Sequence, residues 1–194
     1  MSQEHDAVEL VPDATVESLA RAVLVAALVG ALSYVSIQLP GGIPFSFQHF
    51  GVFLAGLLLG PVWGGIALSL WIGAGVAGAP VFSSGNAGLG YFLGPTGGFI
   101  VGFLVAGVVV GAVAHRSLAP RPASEISPAS ATVGFALALV PIYAVGVPWF
   151  AAVQGLPLAT AADVMVPFAI GDVLKVAVAG GAVYAGRDLL ARLE

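Results

Sequence analysis

Asp172 and Lys175 stand three residues apart in GDVLK (171–175), inside an otherwise apolar run from Pro167 to Leu190. On a helix that spacing puts both on one face. An ionisable side chain within a membrane span is costly and faces the bundle interior or a water-filled cavity. The pair therefore reads in three ways: as mutually neutralising charges that fix helix packing, as contacts for a polar ligand, or as part of a proton relay. No further carboxylate sits mid-span to continue a relay, and the expectation taken forward is a ligand contact. Lys175 is the only lysine, so a phosphate-cradling G-x-x-x-x-G-K-[ST] loop is absent. The chain does not bind and hydrolyse ATP through a P-loop of its own. It has no cysteine, which excludes disulfides, thiolate metal ligands and thiol nucleophiles. His5, His49 and His115 are far apart and lack clustered carboxylates, so no metal site or cofactor is expected. Ser46 and His49 come nearest to a nucleophile with a base, but nothing orients them, and an enzyme is not expected.

A second candidate lies in FSSGNAGLGYFLGPTGG (82–98). Ser83, Ser84, Asn86 and Thr96 supply uncharged donors and acceptors among Gly85, Gly88, Gly90, Gly94, Pro95, Gly97 and Gly98. Irregular backbone at membrane depth is tolerated only where it packs in protein or lines a cavity. The glycines, Gly88 among them, are expected to bring backbone close to a ligand, with Asn86, Ser83 and Ser84 giving polar contacts. Gln48 and His49 sit at the mouth of the second span, and each alone reads as a satisfied mouth residue.

These groups need a scaffold, and composition says which kind. The 194-residue chain is 59% hydrophobic and 8% charged, against about 25% charged in soluble domains. It reads as an all-α integral membrane protein. A helix needs about 20 apolar residues to cross the hydrocarbon core, and hydropathy alone leaves 50–79 open as one kinked span or two short ones. Charge decides. Arg21, Arg116, Arg121, Arg187 and Arg192 all lie near span ends, and cytoplasmic loops concentrate Lys and Arg. If all five lie inside, the chain crosses an even number of times between Arg21 and Arg116. Gly60-Pro61, a strong breaker, then becomes an inside hairpin. The expectation is six transmembrane helices, about 18–39, 49–60, 62–78, 96–114, 130–150 and 167–190, with both termini cytoplasmic. Residues 1–17, with Glu4, Asp6, Glu9, Asp13 and Glu17, read as an acidic, mostly disordered cytoplasmic tail.

The connections left outside are 40–49, 79–95 and 151–166. They hold no Lys or Arg, and Asp163 is their one charge, expected to cap a helix. Pro167 suits the first position of the last helix, where its missing N–H costs nothing, with a short amphipathic helix before it around 159–165. In the first helix Ala22, Ala26 and Gly30 recur four apart, a spacing that lets another helix approach closely. The partner is either another protein or the rest of this chain.

PFSFQHFGVFLAGLLLGPVWG (44–64), GNAGLGYFLGPTGGFIVGF (85–103) and GDVLK (171–175) together resemble the BioY family, the biotin-binding S components of energy-coupling factor (ECF) transporters. The resemblance spans about residues 18–190. It implies six membrane helices in the plasma membrane and capture of biotin from outside. It also implies a shared energising module, a transmembrane T protein with two ATP-hydrolysing A subunits. The family's binding residues map onto Asn86, Asp172 and Lys175, and Gln48 falls in the family's PFxxQ stretch. The resemblance implies docking on the T protein through Ala22, Ala26 and Gly30. His49 stands where the family more often has a small hydroxyl residue. Phe82, Tyr91 and Trp149 are candidates to cover biotin's bicycle or to anchor at the interface. A stand-alone facilitator or proton-coupled carrier for a small vitamin-like solute, gated by Asp172 and Lys175, is the alternative reading.

Overall fold

The computed structural model describes residues 12–38 and 44–190. Six helices carry the chain: α1 (Asp13–Leu32), α2 (Gln48–Val76), α3 (Gly88–Phe92), α4 (Gly97–His115), α5 (Pro128–Gln154) and α6 (Leu158–Leu190). Apolar composition runs all round the long ones, as expected where lipid covers one side and protein the other. All but the five-residue α3 are long and apolar enough to cross a membrane. Packing runs in sequence order from α1 against α2, α2 against α4, α4 against α5 and α5 against α6, and α6 returns to touch α2.

α2 is two crossings rather than one. Gly60 takes φ +72°, ψ −177°, a conformation foreign to a helix and open to glycine, and Pro61 follows with no N–H to continue the ladder. The chain doubles back there. A Cβ on Gly64 would stand 2.8 Å from the carbonyl oxygen of Ala55, nine residues earlier, which a straight helix would hold about 13 Å away. The two arms, 48–59 and 61–76, with α1, α4, α5 and α6 make six crossing segments. Charge bookkeeping therefore anticipated the fold at this point.

The arginines gather at the Gly60 end. Arg21 and Arg121 line one groove with Leu58, Leu59 and Pro120, and Arg116 closes α4 in the left-handed conformation. Arg187 directly follows Gly186, which shares a cleft with Leu58. Arg192 lies outside the described residues. The 77–96 connection and a small hairpin, β1 (Ser36–Gln38) paired antiparallel with β2 (Pro44–Ser46), cover the opposite end.

Several boundaries differ from the sequence reading. α1 runs Asp13–Leu32 instead of 18–39: Asp13 and Glu17 are helical, not tail, and 36–38 is extended. Residues 1–11 lie outside the described part. α6 begins at Leu158, so Pro167 is internal and the 159–165 piece is its first turns. The break signal is Gly155, left-handed at φ 63°, which ends α5 just before Leu156-Pro157. Asp163 is accordingly within α6 and does not cap it. Ala22, Ala26 and Gly30 are buried within the chain, and a Cβ on Gly30 would meet the Val81 side chain at 3.0 Å. That face packs on its own protein, so it is not an open surface for a partner.

Candidate ligand-binding site

Asp172 and Lys175 are 3% and 4% exposed. Charges so deep persist only when paired and hydrogen-bonded, and three elements supply the partners. On α6 itself, Lys175 Nζ donates to Asp172 Oδ1 at 2.8 Å. From α5, the Tyr143 hydroxyl donates to Oδ2 at 2.6 Å. From the start of α2, His49 Nε2 lies 3.1 Å from the same Oδ2, close enough to pair though off the line of a good hydrogen bond. Lys175 Nζ lies 3.4 Å from His49 Nδ1. An ammonium only donates, so Nδ1 is the acceptor and the imidazole proton faces Asp172.

This cluster forms one wall of a cavity lined from α2, α4, α5 and α6. Phe99, Ile100, Phe103, Ile142, Met165 and Phe168 supply an apolar interior. His49 packs edge-on to Phe103, with ring centroids 4.9 Å apart. On the hairpin side, Gln48 accepts from the Ser46 hydroxyl through Oε1 at 3.1 Å. Its Nε2 and the Ser83 Oγ, both buried, find no hydrogen-bond partner among the described residues. An unmet buried donor costs about 1–3 kcal/mol, so these two atoms mark where a polar ligand group fits. The cavity thus has a charged side and a neutral polar side across an apolar middle.

The glycine-rich loop contributes selectively. Phe82 is fully buried, edge-on to Trp71 and stacked on Tyr91 at 5.6 Å. Ser83, Tyr91 and Thr96 reach the cavity wall. Burial pushes the Tyr91 phenol up, so it stays protonated and able to donate. Asn86, Ser84 and Gly88 do not reach that wall. Asn86 Nδ2 donates to the Ser83 carbonyl at 2.7 Å and its backbone carbonyl accepts from Phe82. Ser84, left-handed at φ 60°, shares a hydrogen bond with the Ser36 hydroxyl at 2.6 Å. A Cβ on Gly88 would meet nothing within 4 Å, so no backbone approach is made there. Asn86 is thus spent within the loop and Ser84 on the hairpin beside it. Trp149 ties the loop down by donating to the Gly94 carbonyl at 2.9 Å.

Of the candidates read from sequence, the structure brings Gln48, Tyr91, Asp172 and Lys175 to one cavity and leaves Asn86, Ser84 and Gly88 outside it. Sequence reasoning missed Tyr143 and undervalued His49. A phenol at mid-span, away from the interface where tyrosine usually anchors, was the available signal for Tyr143.

A sequence model described as the BioY family matches residues 3–192. "Biotin transporter BioY" from Rhodobacter capsulatus is 37% identical over 167 residues, covering 81% of this chain and 86% of the relative. The protein of the same name from Rhizobium etli is 35% identical over 156 residues, covering 76% and 81%. Among solved structures, the crystal structure of the S-component for biotin from an ECF-type ABC transporter superposes with a TM-score of 0.76. It covers 94% of this chain and 95% of that one at 23% identity, a likeness of fold.

Proposed function

This chain belongs to the BioY family, and from that premise we propose that it is the biotin-capturing subunit of an ECF-type vitamin importer in the cell membrane. The observation that carries the reading is a buried carboxylate–ammonium pair, braced by His49 and Tyr143, facing an apolar cavity. Biotin offers a neutral ureido ring with two N–H donors and a carbonyl, an apolar thioether bicycle and an anionic tail. Asp172 accepts from a ureido N–H. Lys175 donates to the ureido oxygen or to the carboxylate. The phenylalanines receive the bicycle, and Gln48 Nε2 and Ser83 Oγ meet the ligand's other polar end.

Family membership implies a division of labour, in which a membrane T protein and two ATP-hydrolysing A subunits energise release inward. The lack of a P-loop in this sequence agrees with that. Both termini lie in the cytoplasm, with the arginine end, because positive residues are retained there. The cavity then opens toward the outside. The His49–Asp172–Lys175–Tyr143 cluster also suits a proton-coupled carrier acting alone. Biotin uptake by the purified chain in liposomes under a proton gradient would establish that alternative.

Isothermal titration of the purified chain tests the site. Biotin binds, and an analogue with its ureido carbonyl altered binds roughly tenfold or more weakly, because buried polar atoms are left unmet. Equal affinities would remove the ureido ring from the site. Tyr143→Phe deletes one donor to Asp172 and is expected to weaken biotin by about 1 kcal/mol, roughly fivefold. An unchanged affinity in the same titration would reduce Tyr143 to packing.

A further inference from the structure

At the Gly60 end a second concavity, about 1270 Å3 with its open side included, runs between α1 and the α2 fold. Its chemistry is divided. Arg21 and Arg121 hold one part, and Leu24, Val25, Leu58 and Leu59 with Trp63 hold the rest. We propose that this groove binds an anionic phospholipid, its headgroup phosphate held between Arg21 and Arg121 and an acyl chain lying along Leu24, Val25 and Leu58.

Both guanidiniums have bonding capacity to give. Arg21 spends Nη2 on Glu17, an exposed pair one turn away, and a guanidinium carries five donors. Arg121 spends Nη2 on the Ala114 carbonyl at 3.0 Å, while its Nε is buried without a hydrogen-bond partner among the described residues. His115 Nδ1 accepts from the Arg121 backbone N–H at 2.9 Å, which fixes that stretch of chain beside the groove. Planar guanidinium forks match phosphate oxygens. Trp63 supplies the kind of ring that settles at headgroup depth.

The walls favour lipid over an extended protein segment. Leu24 is 70% exposed and the neighbouring Val23 52%, so the groove opens sideways to where acyl chains lie. An extended peptide laid there would need partners for its backbone. Apart from the arginines the polar lining is Ser18, whose hydroxyl already donates to the Ala14 carbonyl. An acyl chain makes no such demand.

Native mass spectrometry of the full chain from mixed micelles tests this with phosphatidylglycerol and phosphatidylcholine as probes. The chain is expected to retain phosphatidylglycerol roughly tenfold or more over phosphatidylcholine, the order set by two surface arginines. Arg21→Gln with Arg121→Gln removes the preference and leaves biotin titration unchanged. Arg116→Gln, at the same end but outside the groove, keeps it. Leu24→Trp keeps both arginines, fills the apolar part and lowers retention. Equal retention of the two lipids by the parent chain overturns the proposal, as does a loss with Arg116→Gln as large as with the double variant. Displacement of the lipid by millimolar inorganic phosphate would show a plain anion site and overturn it too. Undiminished lipid retention by the double variant, with assembly onto a partner membrane protein lost, would assign the groove to that protein instead.

Discussion

Asp172→Ala is expected to remove biotin binding and lower thermal stability in one step. The carboxylate receives Lys175, Tyr143 and the close approach of His49. Deleting it strands a buried ammonium, and breaking a buried pair from one side costs about 3–5 kcal/mol. That figure sets the expected fall in stability. The loss of affinity should reach roughly a hundredfold or more, since a ligand donor then also lacks its acceptor. A double replacement separates the two effects. Asp172→Leu with Lys175→Met removes both charges and fills their volume, a change that is often neutral or stabilising. The double variant should recover the melting temperature and still fail to bind biotin. If Asp172→Ala binds within twofold of the parent by titration, the pair serves packing alone and the proposed site is wrong.

Gly56→Ala is expected to cost about 1–3 kcal/mol of stability, the usual range for overpacking. The added Cβ would run into the Gly107 carbonyl oxygen and crowd Val110 and the Gly111 nitrogen. Two of these three neighbours are backbone, so no rotamer change relieves the contact. α2 and α4 would have to separate, and both carry cavity residues: Gln48 and His49 on one, Phe99 and Phe103 on the other. The measurement is melting temperature in detergent, with biotin titration alongside. An unshifted melting temperature would mean that the two helices yield freely, contrary to the close packing of Gly56 on Gly107. Gly73→Ala is the control, because a Cβ there meets nothing within 4 Å.

Much of this architecture could be read from the chain, and the legible parts share a cause. Gly60-Pro61 and the Asp172–Lys175 pair are local signals: a breaker acts on adjacent bonds, and a three-residue spacing fixes a shared face. The alignment of arginines gave the crossing number because charge near a membrane is a one-dimensional constraint. What escaped was long-range or degenerate. His49 meets Lys175 from 126 positions away, and no spacing rule joins them. Asn86 reads as a ligand contact by type, yet its Nδ2 donates to the Ser83 carbonyl three residues earlier, away from the cavity wall. Pro167 obeyed a helix-start rule, but the helix begins nine residues earlier at Leu158, after the Gly155 break. The small residues of α1 were visible, but composition could not say whether their own chain or another protein would cover them.

The turn at Gly60 has a consequence for insertions and deletions. It pins the middle of α2 against Gly111 and Pro120, so the first arm works as a ruler measured from that peg to His49. One residue added or lost between 50 and 58 would swing the imidazole about 100° around the helix axis and shift its height, with the peg still seated. Natural length variation should therefore be absent from that stretch and tolerated beyond it.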